Sequence, residues 1–444
     1  MKMVKKNWLL VVLIGVLILI VGAGLLVKFG MERAAAEEIL TKFPDRGVPR
    51  MNITLNGVTL DEINAGSKDV KYEGNEVAVY EGSEKVGDYG NARVKGRGNG
   101  TWVQEKKPYQ IKFDKKVDMF GMGKAKKWVL LANATDGTNV RNELAFNLEK
   151  FLDMAYPMSG SFVELYFDGD YAGLYYLTHN VEIGKHTVRL RNDFGVLMEL
   201  DNLYWKNERH VVSNNGDRLV LKDSVRDELS EKAMQLFLEK YIQLEEAISK
   251  KDFTIIESII DVDSFAKYFL LSEISVNPDA YWTSFYMYMD GGEDKIHAGP
   301  GWDFDMAFCN RRWYNWLGER FYSPKEIMVR KNEIMTVDEY KEKGLGDWAS
   351  SGEAISSLLF DLMDIPGFSE RVSEIFSEKL SGKKDELVSI ISLRFKEIKY
   401  AEDVDENMWG EPNENELEDM LDWFNQRYDY LEEYFGGRAI TSGG

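Results

Sequence analysis

Cysteine is all but missing from this chain of 444 residues: Cys309 stands alone, so neither an intrachain disulfide nor a cysteine-based zinc site can form. Histidine is scarce too. His179, His186, His210 and His297 show no HExxH-type pairing, so any metal has to be held by oxygen. Positive charge is in deficit, with 55 Lys plus Arg against 75 Asp plus Glu for a net −20. The first thirty residues hold four of those lysines and no acid, which leaves the rest of the chain more acidic still. Such a balance disfavours phosphate-backbone tracking by the folded part, because nucleic-acid affinity rests largely on Lys and Arg neutralising phosphates. No apolar run after residue 30 approaches eighteen residues, so a second membrane span is not expected.

What is present is a globular composition, 44% hydrophobic and 13% aromatic, over a length that suits two or three units. From Trp8 to Val27 there is no charge, and twenty residues are about what a helix needs to cross a roughly 30 Å hydrocarbon layer. Lys2, Lys5 and Lys6 precede this run and Lys28 alone follows closely. The positive-inside rule then predicts a single-pass, uncleaved signal anchor in the cell membrane, with a cytoplasmic N-terminus and an extracytoplasmic remainder.

Residues 31–90 read as a juxtamembrane helix, a loop marked by Pro44, Gly47 and Pro49, and β-hairpins at Met51–Leu55 and Val77–Tyr80. Strand character continues from 91 to 224, at Lys112–Phe113, Trp128–Ala132, Phe162–Phe167, Gly173–Thr178, Gly195–Leu200 and Arg218–Lys222, with one helix at Asn139–Phe151. After Ser224 the apolar spacing changes to three and four residues. Helices are predicted over Arg226–Lys250, Val262–Val276, Ala354–Met363, Phe368–Leu380, Lys384–Lys399 and Glu416–Phe435. The acidic run from Glu402 to Glu418 is expected to be a solvated loop. A strand-rich part followed by a helix-rich part, 225–440, gives an α+β protein with a cleft between the two.

Two runs carry candidate chemistry. In Gly96-Arg97-Gly98-Asn99-Gly100-Thr101-Trp102 the alternate glycines permit positive φ and close approach of a polyanion, with Lys106, Lys107 and Lys112 nearby. On that run alone a plain hairpin turn with solvated lysines is the better reading, because glycine-rich turns are common. The second run brackets a hairpin, Phe285–Met289 and Lys295–Ala298, turned at Gly291 and Gly292. Folding it back brings Asp279, before the first strand, near Asp303 and Asp305, after the second. Clustered carboxylates repel unless a cation sits among them, and Mg²⁺ or Mn²⁺ suits such oxygens. Trp302, Phe304 and Phe308 set the acids in an apolar wall.

In this order, the GRGNGTW run with KKPYQIKF, the Trp128–Asn133 stretch ahead of Asp136 and Arg141, YAGLYYLT, GPGWDFDMAF and the final DWFNQR resemble the CotH family of spore-coat-protein-H-like kinases. The resemblance implies an atypical protein-kinase-like fold of two lobes, a β-rich N-lobe and a helical C-lobe. It also implies ATP with Mg²⁺ or Mn²⁺ as cofactors, and transfer of the γ-phosphate to Ser or Thr of secreted or surface proteins. Carried over residue by residue, Asp303 would hold metal, Asp279 would serve the catalytic loop, and Asp305 would be a further ligand. Gly96, Arg97, Gly98 and Asn99 would cover the phosphates, with Lys107 or Lys112 pairing with them and Lys222 approaching from a neighbouring strand. Two positions depart from the family pattern: His179 stands where relatives carry an acid, and Thr283 and Ser284 where they carry Asn. The alternative is a weakly active or inactive member serving as a surface-binding module. A glycoside hydrolase built on Asp279 and Asp303 with the Trp313, Tyr314 and Trp316 cluster ranks below both, since it leaves the glycine and lysine run without a role.

Overall fold

The computed structural model describes residues 2–310, 323–327, 356–410 and 415–439. Its first element is helix α1, Lys2–Lys42, in which an 18-residue window has mean hydropathy 2.7 and no buried residue. A helix of this length and apolarity at the N-terminus is common to membrane anchors and signal sequences.

Seven strands form a closed barrel in the order β1-β2-β3-β4-β5-β7-β6. These are β1 Arg50–Thr54, β2 Tyr72–Glu81, β3 Glu84–Gly96, β4 Tyr109–Asp118, β5 Lys124–Leu131, β6 Gly160–Phe167 and β7 Asp170–His179. Alternation makes the barrel core: Met51, Ile53, Val94, Ile111, Phe113, Trp128, Leu130, Val163 and Leu165 point inward from successive strands. Antiparallel pairings run round the wall, and a parallel β1–β6 pairing, Met51 opposite Leu165, closes it. Within the barrel, β3 lies outside the predicted strands, because its glycines and charges hide the alternation that Ala92 and Val94 carry.

β6 and β7 are buried on both faces: Phe162, Leu174 and Tyr176 point away from the barrel into a second, larger core. That core contains a five-stranded sheet in the order β12-β11-β8-β10-β9, from β8 Gly195–Leu200, β9 His210–Val212, β10 Arg218–Ser224, β11 Phe285–Asp290 and β12 His297–Ala298. Around it pack α3 Arg141–Phe151, α4 Ser230–Ser249, α5 Phe253–Ile259, α6 Val262–Ser275, α7 Leu358–Met363, α8 Pro366–Ile375, α9 Lys384–Trp409 and α10 Glu416–Ala439, while the short α2, Leu60–Ala65, sits against the barrel. The class is α+β, as expected.

The expected divisions sit differently in space. A boundary at residue 90 falls inside β3, since β1 and β2 belong to the same barrel as the strands that follow. A boundary at 224 separates β8 from β11, its hydrogen-bonded neighbour. The acidic run from Glu402 is not a loop: α9 continues to Trp409 and buries Glu402 and Asp405, because Asp405 pairs with the buried Lys106 ammonium at 2.7 Å and accepts the Leu174 N–H.

Candidate active site

Helix α6 starts where the Asp261 carboxylate accepts the Ser264 N–H at 2.7 Å, a cap worth about 1 kcal/mol. It ends at Val276 in a left-handed conformation, φ 46°, which a β-branched residue adopts only at a cost of about 1–3 kcal/mol. That turn delivers Asn277-Pro278-Asp279 into the interior. Pro278 opens a 3₁₀ turn through Tyr281 that buries Asp279. The hairpin follows as expected, with Met287 opposite Ala298 and Gly291 at φ 97° in its turn. The chain then enters Gly299–Asp305, where Asp303 lies at φ 64°.

Asn277 joins the two acid-bearing segments. Its amide oxygen accepts the Asp279 N–H at 3.3 Å, and its amide nitrogen donates to the Asp303 carbonyl at 3.2 Å. The Trp282 indole donates to the Asp279 carboxylate at 2.8 Å, and the Thr135 hydroxyl to that of Asp305 at 3.1 Å. Asn310 fixes the Asp305 carbonyl at 2.6 Å.

All three carboxyls are pushed above their ordinary range, and burial is the main cause in each. Asp303 adds to the rise of Asp279, which the Trp282 indole eases. Asp305, carried to about 8, is likewise raised by Asp303 and eased by Thr135. For Asp303 the Arg97 guanidinium works against burial while Glu199 adds to it. Buried acids that repel one another are the donor set a hard divalent cation relieves, and Mg²⁺ needs only one or two carboxylates beside phosphate oxygens and retained waters. The residues fit such an ion in an open arrangement. Among the described residues, the acids whose ligating oxygens all lie within 4.8 Å are instead Glu402, Asp403 and Glu406, and Lys399 bridges the first two.

Opposite the acids lies the glycine run. Arg97 stacks its guanidinium 5.1 Å from the centre of the Trp302 ring and interacts with Asp303, Glu199 and Tyr286. Burial lowers its pKa, and those groups raise it. Lys222 on β10 pairs with Glu199 on β8 at 2.8 Å, and Glu199 also accepts the Ser284 N–H at 3.2 Å. Lys68, half-buried, donates to the Gly98 carbonyl at 2.7 Å and to the Asn99 side chain, and senses the charges of Arg97 and Lys222. The glycines serve the loop's own packing. A Cβ on Gly96 would lie 2.4 Å from the Trp102 ring, and Gly98 sits at φ 77°.

Of the named site residues, then, Asp279, Asp303, Asp305, Arg97 and Lys222 share one electrostatic neighbourhood. Lys107 and Lys112 do not point into it. The Lys107 ammonium donates to the Trp102 and Gln104 carbonyls at 2.7 and 3.0 Å and lies 4.9 Å from the Trp102 ring centre. Lys112 stands on the outer face of β4 in register with Arg93 and Lys127. His179 packs on Trp128 at 4.4 Å, and Glu182 pairs with Lys127 at 2.6 Å. Thr283 donates to Asp201 at 3.1 Å. The Trp313, Tyr314 and Trp316 cluster lies outside the described residues. Residues that sequence reasoning did not find are Asn277, Thr135, Tyr286 and Lys68. Only Asn277 left a signal, as an Asn-Pro helix-stop ahead of a buried acid.

A comparison with curated proteins finds no match. The family model described as CotH kinase protein matches residues 93–431, from the end of β3 through most of α10, and on that match over most of its length the chain belongs to the CotH kinase family.

Proposed function

We propose that this protein is an anchored extracytoplasmic kinase that moves the γ-phosphoryl group of ATP to Ser or Thr of secreted or surface proteins, with the barrel and the helix-rich part as its two lobes. The observation that carries this reading is the buried trio Asp279, Asp303 and Asp305 facing Arg97 of the glycine run. Asp303, with Asp305, would hold Mg²⁺ or Mn²⁺, which would supply charge neutralisation to the transferred phosphoryl group. Arg97 and Lys68 offer positive charge on the other side of the phosphates, and Lys222 is held ready by Glu199. Asp279 orients the incoming hydroxyl and, in its ionised form, takes its proton as the new O–P bond forms and the bond to the ADP oxygen breaks. The helix α1 would tether the enzyme, with its N-terminal lysines on the cytoplasmic side.

A second reading, a surface-binding module without transfer, is favoured by one contact. The Thr283 hydroxyl, where relatives carry a metal-ligating amide, is engaged by Asp201. Calorimetry of the full chain with ATP and Mn²⁺, together with transfer of labelled phosphate to a casein-type acceptor, separates the two. Metal-dependent nucleotide binding with transfer supports the kinase, and binding of neither metal nor nucleotide removes it.

A further inference from the structure

We propose that Glu149 is a positioning residue for the metal-holding loop, through which helix α3 sets the place of Asp303 and Asp305; this rests on the metal reading above. Glu149 is fully buried in the last turns of α3. Each of its oxygens accepts a backbone N–H, one from Gly301 and the other from Met158 at 2.6 Å. Burying a carboxyl is costly unless it is hydrogen-bonded, and here both bonds go to main chain, one of them two residues from Asp303.

α3 grips the same loop at two further points. The Asn142 amide oxygen accepts the Phe304 N–H at 3.1 Å, between the two acids, and the Arg141 Nε donates to the Ala307 carbonyl at 3.1 Å. One helix thus fixes the backbone before, between and after Asp303 and Asp305. The fit leaves no slack: a Cβ on Gly301 would lie 2.9 Å from Glu149 Oε1 and 2.7 Å from Leu271. Asp303 itself is held in a left-handed conformation that a loose loop would abandon. None of these three α3 side chains is placed as a ligand, so their effect on a metal passes through the loop.

The test is Glu149→Gln in the full chain, whose amide would turn an N–H toward one of the two backbone donors. Free Mn²⁺ is followed by its electron paramagnetic resonance signal, so the readout does not depend on transfer. The expected result is Mn²⁺ affinity lowered by about 10- to 100-fold, with metal-free ATP binding changed less than about twofold and the thermal midpoint lowered by a few degrees. A folded E149Q that binds Mn²⁺ as the wild type does overturns the positioning role. Should E149Q fail to fold, Asn142→Ala removes the neighbouring grip, and unchanged Mn²⁺ affinity in that variant overturns the proposal equally. Asp303→Asn run alongside keeps the two readings apart. If D303N loses Mn²⁺ and E149Q does not, only the positioning role fails; if D303N retains it, or the wild type takes up none, the metal reading fails and the proposal with it.

Discussion

Around Asp303 the backbone is pinned by Glu149, Asn142, Arg141 and Asn277, all buried, whereas the glycine run from Gly96 to Val103, beyond the Arg97 N–H bond to the Pro108 carbonyl and its own turn bonds, takes side-chain bonds to its carbonyls from two half-buried lysines, Lys68 and Lys107. Buried hydrogen bonds to main chain hold a constellation in place, because water does not compete for them. Bonds from long, partly solvated side chains hold it loosely. The acid-bearing loop is thus held by more buried side-chain bonds than the glycine run.

Removing the fixed charge should give the largest effect. Asp303→Asn is expected to reduce Mn·ATP-dependent phosphate transfer by about 10²- to 10³-fold with circular dichroism unchanged; a variant that transfers normally excludes Asp303 as the ligand. Next is the support behind α6. Arg427 and Glu273 form a fully buried pair at 2.7 Å, and Arg427 also donates to the Glu273 carbonyl, three residues before the strained Val276. Arg427→Ala should lower stability by about 3–5 kcal/mol in urea unfolding, since it takes the guanidinium away from a buried carboxylate.

A smaller effect is expected from pH. Protons and metal compete for the raised acids, so Mn²⁺ affinity should climb from pH 6 through about 8, where Asp305 loses its proton. Flat affinity across that range, measured by calorimetry, would place the ion elsewhere. Stability runs the other way at Glu149, whose carboxyl burial pushes up to about 8 from the ordinary glutamate value of 4.5. Its contribution is full below about 4.5 and is lost as pH rises through about 8, so the thermal midpoint should fall over that window. The smallest change belongs to the loose side: Lys107→Ala should cost under about 1 kcal/mol in stability, because its contacts are to loop carbonyls and one ring face. It should raise the KM for ATP only by loosening the loop.

The acid side was also the more legible in the sequence. The two strands of the hairpin lie close in the chain, the first is a continuous apolar run, and Gly291 with Gly292 marks the turn. Bringing Asp279 toward Asp303 therefore needed only local rules. The lysines were harder. Lys106 and Lys107 are neighbours of the same type, yet one is buried against Asp405 and the other folds back on its own loop. The fate of Lys106 depends on α9, some three hundred residues away in the chain.

By itself the sequence determined the apolar helix at the N-terminus, the α+β class, the period of most strands and helices, the family motifs and the hairpin that gathers the acids. Each of these rests on interactions between residues close along the chain. Tertiary structure alone decided the closure of the barrel through β1 and β6, the sharing of β8 and β11 in one sheet, which cations face Asp303, and the grip of α3 on the acid loop. Those choices are made by surfaces that meet only when the chain is compact, and no local pattern of side chains records which surface will arrive.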